Sequence, residues 1–327
     1  MAVLLLMRPD RIMVPGPRLR RASSSLENTT KENSMRIFVT GASGWIGSAV
    51  VPELINAGHQ VLGLARSDAS AKAVADMGAE VLSGDLNDID VLRAGALDSD
   101  AVIHLAFVVP SVTEVATRTD ARAIETFATS LTGSGKALVI SGGTLVTPGR
   151  PATERDELIA AGPIAARITN MEAALAVAGR GVRSCLVMLP RSVHGEGERH
   201  GFIPQLIAMA RSNGVAGYIG DGTSRWPAVH VKDAASLYRL AVELAPAGAV
   251  LNAVGDEGVP VREIAEAIGR HLSLPAKSLP ATAYDGMLVH LLSTDMPASS
   301  TITQELLGWQ PTHPGLIEDI DQGHYFI

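Results

Sequence analysis

The sequence predicts an α/β fold, a doubly wound parallel sheet with a small lobe toward the C-terminus. Three observations carry that expectation. From Met35 onward, short apolar runs alternate with amphipathic stretches, the pattern of buried parallel strands joined by covering helices. A Gly-x-x-Gly-x-x-Gly run stands between the first apolar run and the first amphipathic one. After Pro190 the alternation gives way to a stretch punctuated by glycine. A chain of 327 residues can bury one large core, or a main domain with a smaller lobe beside it.

The elements follow in order. The first strand covers Arg36–Thr40, and an amphipathic helix opens near Trp45 and closes before Gly58. Further strands are expected at residues 61–65, 80–82, 101–105, 137–140 and Arg183–Leu189. Helices are expected between them at 70–77, 88–96, about 112–131 and about 165–178. Crossovers between parallel strands should be right-handed. Beyond Pro190, Gly195, Gly197, Gly201, Pro204, Gly214, Gly217, Gly220 and Gly222 mark a loop-rich region. Helical patterns return at 232–244, Val261–Leu272 and 300–307. Residues 35–190 are therefore read as the sheet domain. Residues 191–327 are read mainly as a substrate lobe over the carboxyl edge of the sheet, with some elements returning to the core.

Composition narrows the function classes. Hydrophobic residues make up 46% and charged residues 19%, a globular balance, and the net charge is −7. Residues 1–34 hold six basic and three acidic residues, leaving 21 basic and 31 acidic residues in the remainder. An acidic body without a basic stripe argues against nucleic-acid binding. No apolar run approaches the roughly 20 residues of a membrane-spanning helix. The single cysteine, Cys185, lies in an apolar run and reads as a buried strand residue, which suits a reducing, cytoplasmic setting. Residues 1–34, broken by Pro9, Pro15 and Pro17, read as a disordered extension, with an organelle transit peptide as the alternative. The scattered histidines and acids show no metal-ligand spacing.

The run Gly41-Ala42-Ser43-Gly44-Trp45-Ile46-Gly47 directly follows a strand and opens a helix, the context in which such glycines bind a dinucleotide rather than merely turn the chain. Gly41 permits the tight turn, Gly44 lets backbone approach a pyrophosphate, and Gly47 lets helix and strand pack closely. Free amides at the helix N-terminus then meet the phosphates. An acid at the end of the second strand would bind the ribose 2′-hydroxyl of NAD and repel a 2′-phosphate. Ala65 fills that slot here, and Arg66 follows it with a guanidinium suited to phosphate. Ser67 can add a hydroxyl. The pair favours NADP over NAD; the alternative is that Arg66 is a solvated loop residue. Asp85 is placed to accept from the adenine amino group, and Ala106 and Phe107 to lie along the cofactor.

These motifs carry a family resemblance. Residues Thr40 to Gly47, then Gly84-Asp85-Leu86, then Ile103-His104-Leu105-Ala106, follow the order seen in the extended short-chain dehydrogenase/reductases. Leu189-Pro190-Arg191-Ser192-Val193-His194-Gly195 resembles that family's segment bordering the nicotinamide. Val229 to Ala234 resembles its His-Val-x-Asp-x-Ala helix start, and Leu306 to Pro311 its C-terminal Leu-Gly-Trp-x-Pro. The closest subgroup is the proteins labelled NAD-dependent epimerase/dehydratase. The resemblance implies a Rossmann domain with a small substrate lobe, and NAD(P)-linked chemistry on carbonyls, alcohols or sugar nucleotides. It adds Leu86, Leu105, Pro190 and Val193 to the cofactor-binding set, and a homodimer through the helices near 112–131 and 165–178.

The match fails at the catalytic centre. The family uses a serine, a tyrosine and a lysine four residues later, the tyrosine acting as acid or base. No Tyr-x-x-x-Lys exists here: Gly222, Val242 and Leu288 follow Tyr218, Tyr238 and Tyr284 by four, and Tyr325 lies too near the end. Anchored on Glu172, the two slots fall on Ile164 and Ile168 or their neighbours. Substitute groups are Ser141 or Thr144 after the fifth strand, Arg167 near the missing lysine, and His194, whose ordinary pKa suits proton transfer. For each there is a structural alternative: a turn hydroxyl, a solvated helix face, or packing. Capping would account for Asp233, and Arg225-Trp226 is placed either along the substrate pocket or in the core.

The leading expectation is an NADP-dependent oxidoreductase acting on a small carbonyl or alcohol, catalysing mainly by positioning. A redox sensor that binds NADP(H) and a sugar-nucleotide epimerase or dehydratase are the alternatives. The latter depends most on the missing tyrosine.

Overall fold

The computed structural model describes residues 34–107, 114–160 and 164–327. The reading of residues 1–33 as an extension, and the expected helix start at 112 and 113, lie outside the described residues. Seven strands form the main sheet: β1 (Arg36–Thr40), β2 (Gln60–Ala65), β3 (Glu80–Ser83), β4 (Ala101–His104), β5 (Ala137–Gly143), β6 (Arg183–Leu189) and β10 (Ala249–Asn252). Their order is β10-β6-β5-β4-β1-β2-β3, and every pair is parallel.

Period-two alternation sorts each strand between two cores. Ile37, Val39, Ile103, Val139 and Val187 face α1 (Gly47–Asn56) and α7 (Val231–Leu244), packing with Val50, Leu54, Leu237 and Tyr238. Phe38, Val102, Leu138, Ile140 and Leu186 face α3 (Ile89–Leu97), α4 (Glu114–Leu131) and α5 (Ala165–Ala176), packing with Leu92, Phe127 and Met171. Phe127 meets Phe38 edge-on at 6.0 Å between ring centroids. Cys185 is a buried strand residue, as expected, and burial pushes its thiol up to about 12. No described helix is long and apolar enough to cross a membrane.

Several boundaries differ from the sequence pattern. β5 runs on to Gly143 because Ser141, Gly142 and Gly143 pair with Val187, Met188 and Leu189 of β6. The helix expected to reach 178 tightens into a 3₁₀ turn at Val177–Arg180, ended by Gly181 at φ +72°. After β6 the chain builds β7 (Ser192–His194), α6 (Phe202–Asn213), β8 (Ala216–Ile219) and β9 (Arg225–His230) before α7. β10 then rejoins the main sheet beside β6.

The remainder comprises β11 (Asp256–Pro260), α8 (Val261–Leu272), β12 (Ala276–Leu279), α9 (Gly286–Ser293), α10 (Thr301–Leu307) and α11 (Leu316–Asp321). Strands β11, β9 and β7 form a three-stranded sheet, and β12 pairs with β8. Ile203, Ile207, Trp226, Ile264, Ile268 and Ile320 form the core of this region. Trp226 is fully buried and donates to the Leu291 carbonyl at 3.0 Å, while Arg225 is paired with Asp295. Trp226 therefore fills core, while Arg225 stays partly exposed in its ion pair.

Candidate active site

The glycine run forms a tight cradle at the carboxyl end of β1. Gly41 has φ +71°, and a Cβ there would come within 2.8 Å of the Ala106 nitrogen. A Cβ on Gly47 would sit 2.2 Å from the Gly41 carbonyl oxygen, so only glycine lets α1 begin this close to β1. Ile46 precedes the helix and offers no side-chain cap, while Ser43 and Gly44 are exposed. Trp45 donates its indole N–H to the Val193 carbonyl at 2.7 Å, tying the cradle to β7.

At the end of β2, Ala65 is buried and Arg66 is exposed, with no side-chain partner among the described residues. Ser67 is otherwise engaged. It caps α2 (Asp68–Asp76), accepting from the Ser70 amide at 3.3 Å and meeting the Ser70 hydroxyl at 3.1 Å. Asp85 turns one carboxylate oxygen onto the Asn87 amide at 2.6 Å. Leu86 packs against the core beside α3 and α4, Leu105 packs on the α1 side, and Pro190 is buried.

The four substitute catalytic groups separate sharply. Ser141 shares the strand parity of Val139 and so lies on the α7 face. Its hydroxyl donates to the His104 carbonyl at 3.1 Å and accepts from the buried Tyr238 hydroxyl at 2.7 Å. Both of its bonding directions are used inside the fold. Thr144 is also buried, but its hydroxyl has no partner among the described residues. Arg167 is neither a free cation nor a solvated face. It lies 2.8 Å from Asp120, donates to the Ser141 carbonyl at 2.5 Å, and covers the Phe107 ring at 3.9 Å.

Asp120 also accepts from Asn170 at 2.6 Å and from His104 at 3.2 Å, and His104 meets the Thr40 hydroxyl at 2.6 Å. Against the upward push of burial, the His104 hydrogen bond and the Arg167 charge hold the Asp120 carboxyl below its ordinary range. Ile164 is exposed and Ile168 buried, so neither missing slot is refilled.

His194 has no exposed surface and gives its Nδ1 to Asp319 at 3.0 Å. A side chain closed off in this way cannot touch substrate, which removes its direct catalytic reading. Asp233 does not cap α7 either. His230 does so, accepting from the Lys232 amide, while Asp233 receives the Thr312 and His313 amides, each at 3.0 Å. Its position three residues beyond the cap turns its carboxylate toward the C-terminal segment instead.

Beside the cradle opens a cleft of about 890 Å³. Its lining includes Ser43, Gly44, Trp45 and Ser48 of the cradle, Arg191 and Val193 after β6, and Glu198, Phe202 and Met287. Arg191 rests its guanidinium 5.6 Å from the Trp226 ring and touches the Met296 sulfur. Its Nη1 is buried without a hydrogen-bond partner among the described residues, and burial pushes the guanidinium down to about 10. Glu198 was not singled out by sequence reasoning. It is buried, and its carboxyl is pushed up to about 7 by burial, against the Tyr325 hydrogen bond.

The profile of the NAD dependent epimerase/dehydratase family matches residues 37–253. The chain belongs to that family. An uncharacterized protein of Schizosaccharomyces pombe is 43% identical over 298 residues, covering 89% of this chain and 100% of its own. The 2-alkyl-3-oxoalkanoate reductase of Stenotrophomonas maltophilia is 29% identical over 249 residues, 70% of this chain and 73% of that one. Among solved structures, the dTDP-glucose 4,6-dehydratase of Bacillus anthracis in complex with NAD superimposes with a TM-score of 0.71. It is 17% identical, covers 89% of this chain and 96% of its own, and shares the fold.

The family's dinucleotide fits the residues present here. The cradle has no room for a Cβ at Gly41 or Gly47, α1 opens without a cap, and Arg66 stands unpaired beside a neutral Ala65. Gly41, Ser43, Gly44, Trp45, Ile46 and Gly47 would hold the pyrophosphate and Arg66 the adenosine ribose. What the family's dinucleotide supplies, when bound, is a hydride donor or acceptor.

Proposed function

We propose that this protein is an NADP(H)-dependent oxidoreductase that moves hydride to or from a small carbonyl or alcohol substrate bearing an acidic group. The observation that carries this reading is the shared cleft: the glycine cradle and the unpaired Arg191 line the same space. A dinucleotide laid on the cradle and an anion held by Arg191 would meet there. Positioning of this kind can replace a large part of the missing acid catalysis. The reductase of Stenotrophomonas maltophilia, named for a 3-oxoalkanoate, supports an acidic carbonyl substrate. The absence of an acid at the end of β2, where Ala65 stands, supports NADP over NAD.

Titration with NADPH and NADH tests the cofactor. NADPH should bind at least tenfold more tightly, and Arg66→Ala should remove most of that preference. Equal affinities in the wild-type protein would overturn the Arg66 reading. A panel of 3-oxo acids and neutral ketones, followed by NADPH oxidation, tests the chemistry. The acids should be preferred, and Arg191→Ala should raise their KM by roughly ten- to a hundredfold. Tight NADPH binding with no turnover of any carbonyl would instead favour a redox-sensing role.

A further inference from the structure

We propose that Glu198 supplies the proton that the family's tyrosine would otherwise give, as the cleft-side end of a buried chain running through Tyr325 and Asp319 to His194. This rests on the oxidoreductase reading above. Glu198 lines the same cleft as the glycine cradle and Arg191, on the loop between β7 and α6. Its Oε2 meets the Tyr325 hydroxyl at 3.0 Å. The same hydroxyl lies 3.0 Å from Asp319 Oδ2 and accepts the Gly195 amide at 3.0 Å. Space for the carboxyl is reserved by Gly201, where a Cβ would fall 1.5 Å from Oε1.

Counting hydrogens settles the resting state of this chain. A tyrosine hydroxyl has a single hydrogen to give. Two ionised carboxylates against it would leave one oxygen facing lone pairs, at a buried site where like charges resist sharing. One further proton on the pair removes the conflict. Asp319 is the partner that stays ionised: against the upward push of burial, the hydrogen bond and charge of His194 hold it below its ordinary range. The proton therefore resides on Glu198, whose carboxyl is raised by burial and by the nearby Asp319 charge. The other titratable groups around the site are His324, 3.7 Å from Asp319, and His230, edge-on to His194 at 5.6 Å. Arg191, Arg199, His200 and Asp285 line the cleft itself.

The step balances. In reduction the carbonyl carbon gains a hydride, two electrons and one hydrogen, from the reduced nicotinamide cofactor. The C=O π pair becomes a lone pair on oxygen, and that oxygen takes the Glu198 proton to give the alcohol. The Tyr325 O–H then turns from Asp319 to the new Glu198 carboxylate, which is reprotonated from water entering the cleft. Oxidation of the alcohol runs the same transfers backward.

The test begins without cofactor or substrate. In protein carrying carboxyl-¹³C glutamate, one resonance should titrate near 7 and be missing from Glu198→Gln. A Glu198 resonance titrating in the ordinary glutamate range overturns the proposal. Tyr325→Phe should move that midpoint, and an unmoved midpoint overturns the chain. For turnover, the 3-oxo acid panel with NADPH is run across pH on wild type and Glu198→Gln. The variant should lose roughly a hundredfold or more in kcat, with little change in KM or NADPH affinity, and should lose the fall in rate above neutrality. A wild-type protein that reduces none of the panel removes the oxidoreductase reading itself. An active wild type matched by Glu198→Gln at every pH removes only the Glu198 assignment.

Discussion

Two buried polar clusters in this molecule use the same kinds of side chain and are completed to different degrees. Under the sheet, Asp120 accepts from His104 and Asn170 and faces Arg167, while His104 is met in turn by Thr40. Asp120 is answered by two hydrogen-bond donors and by the Arg167 charge, so the cluster is closed in charge, although Arg167 Nη1 makes no hydrogen bond among the described residues. Beside the cleft, Glu198 and Asp319 share one tyrosine hydroxyl, and the Nε2 of the fully buried His194 has no partner among the described residues. The two acids here compete for the single tyrosine hydrogen. A closed cluster fixes a shape. An overcharged one holds a proton that can leave. On the β5–α5 face, which carries no Tyr-x-x-x-Lys, Arg167 acts as a strut; under the proposal above, the proton comes from Glu198 instead.

The largest break in this comparison should come from the closed cluster. Asp120→Ala strands Arg167, His104 and Asn170, and should cost about 3–5 kcal/mol in urea unfolding at neutral pH, a loss that shrinks as pH falls below the ordinary aspartate range. A loss under about 1 kcal/mol would mean that the cluster is not a structural keystone. The open cluster should respond with the opposite sign. The folded-state value of about 7 for Glu198 lies above its ordinary 4.5, so the native state keeps a proton that the unfolded chain releases. Stability from this group is therefore fully present below 4.5, and is lost as pH rises to about 7.

Glu198→Gln should accordingly be more stable than wild type by roughly 3 kcal/mol at mildly alkaline pH, with the gain shrinking toward zero in acid. His230 slopes the other way, since burial and the neighbouring His194 and His313 push it down to about 4. Its contribution is lost as pH falls from 6.5 toward that value, and subtracting wild type from variant cancels it. A pH-independent difference would show that Glu198 is ionised in the fold. The smallest effect belongs to Tyr238→Phe, which removes one buried hydroxyl bond to Ser141 and should cost about 1 kcal/mol. Unchanged NADPH oxidation in that variant would confirm that Ser141 is structural.

Most of the sheet was legible because period-two alternation and the glycine run are local signals. That same alternation places Ser141 on the α7 face, a deduction available from Val139 alone. Helix α6 was hidden by flanking glycines, although Phe202, Ile203, Leu206, Ile207 and Ala210 repeat at helical spacing between Gly201 and Gly214. The cofactor cradle could be read because backbone does its work over seven residues. Glu198 could not. Its partner Tyr325 lies 127 residues away, and no periodicity links a glycine-rich loop to a C-terminal turn. His194 misled for a related reason: an imidazole in the right segment says nothing about which way it points, and Asp319 takes it from 125 residues downstream.

The return of β10 to the main sheet bears on how the chain is made. β10 pairs with β6 only after residues 190–248 have been synthesised. At ribosomal rates that leaves the outer edge of β6 bare for a few seconds to about ten seconds, a ready template for another nascent strand. The stretch from β7 to α7 is thus threaded between two neighbouring strands of one sheet, and cannot be shed or swapped without opening that edge again. In the cell this makes vectorial synthesis, rather than the finished fold, the moment of greatest exposure to aggregation.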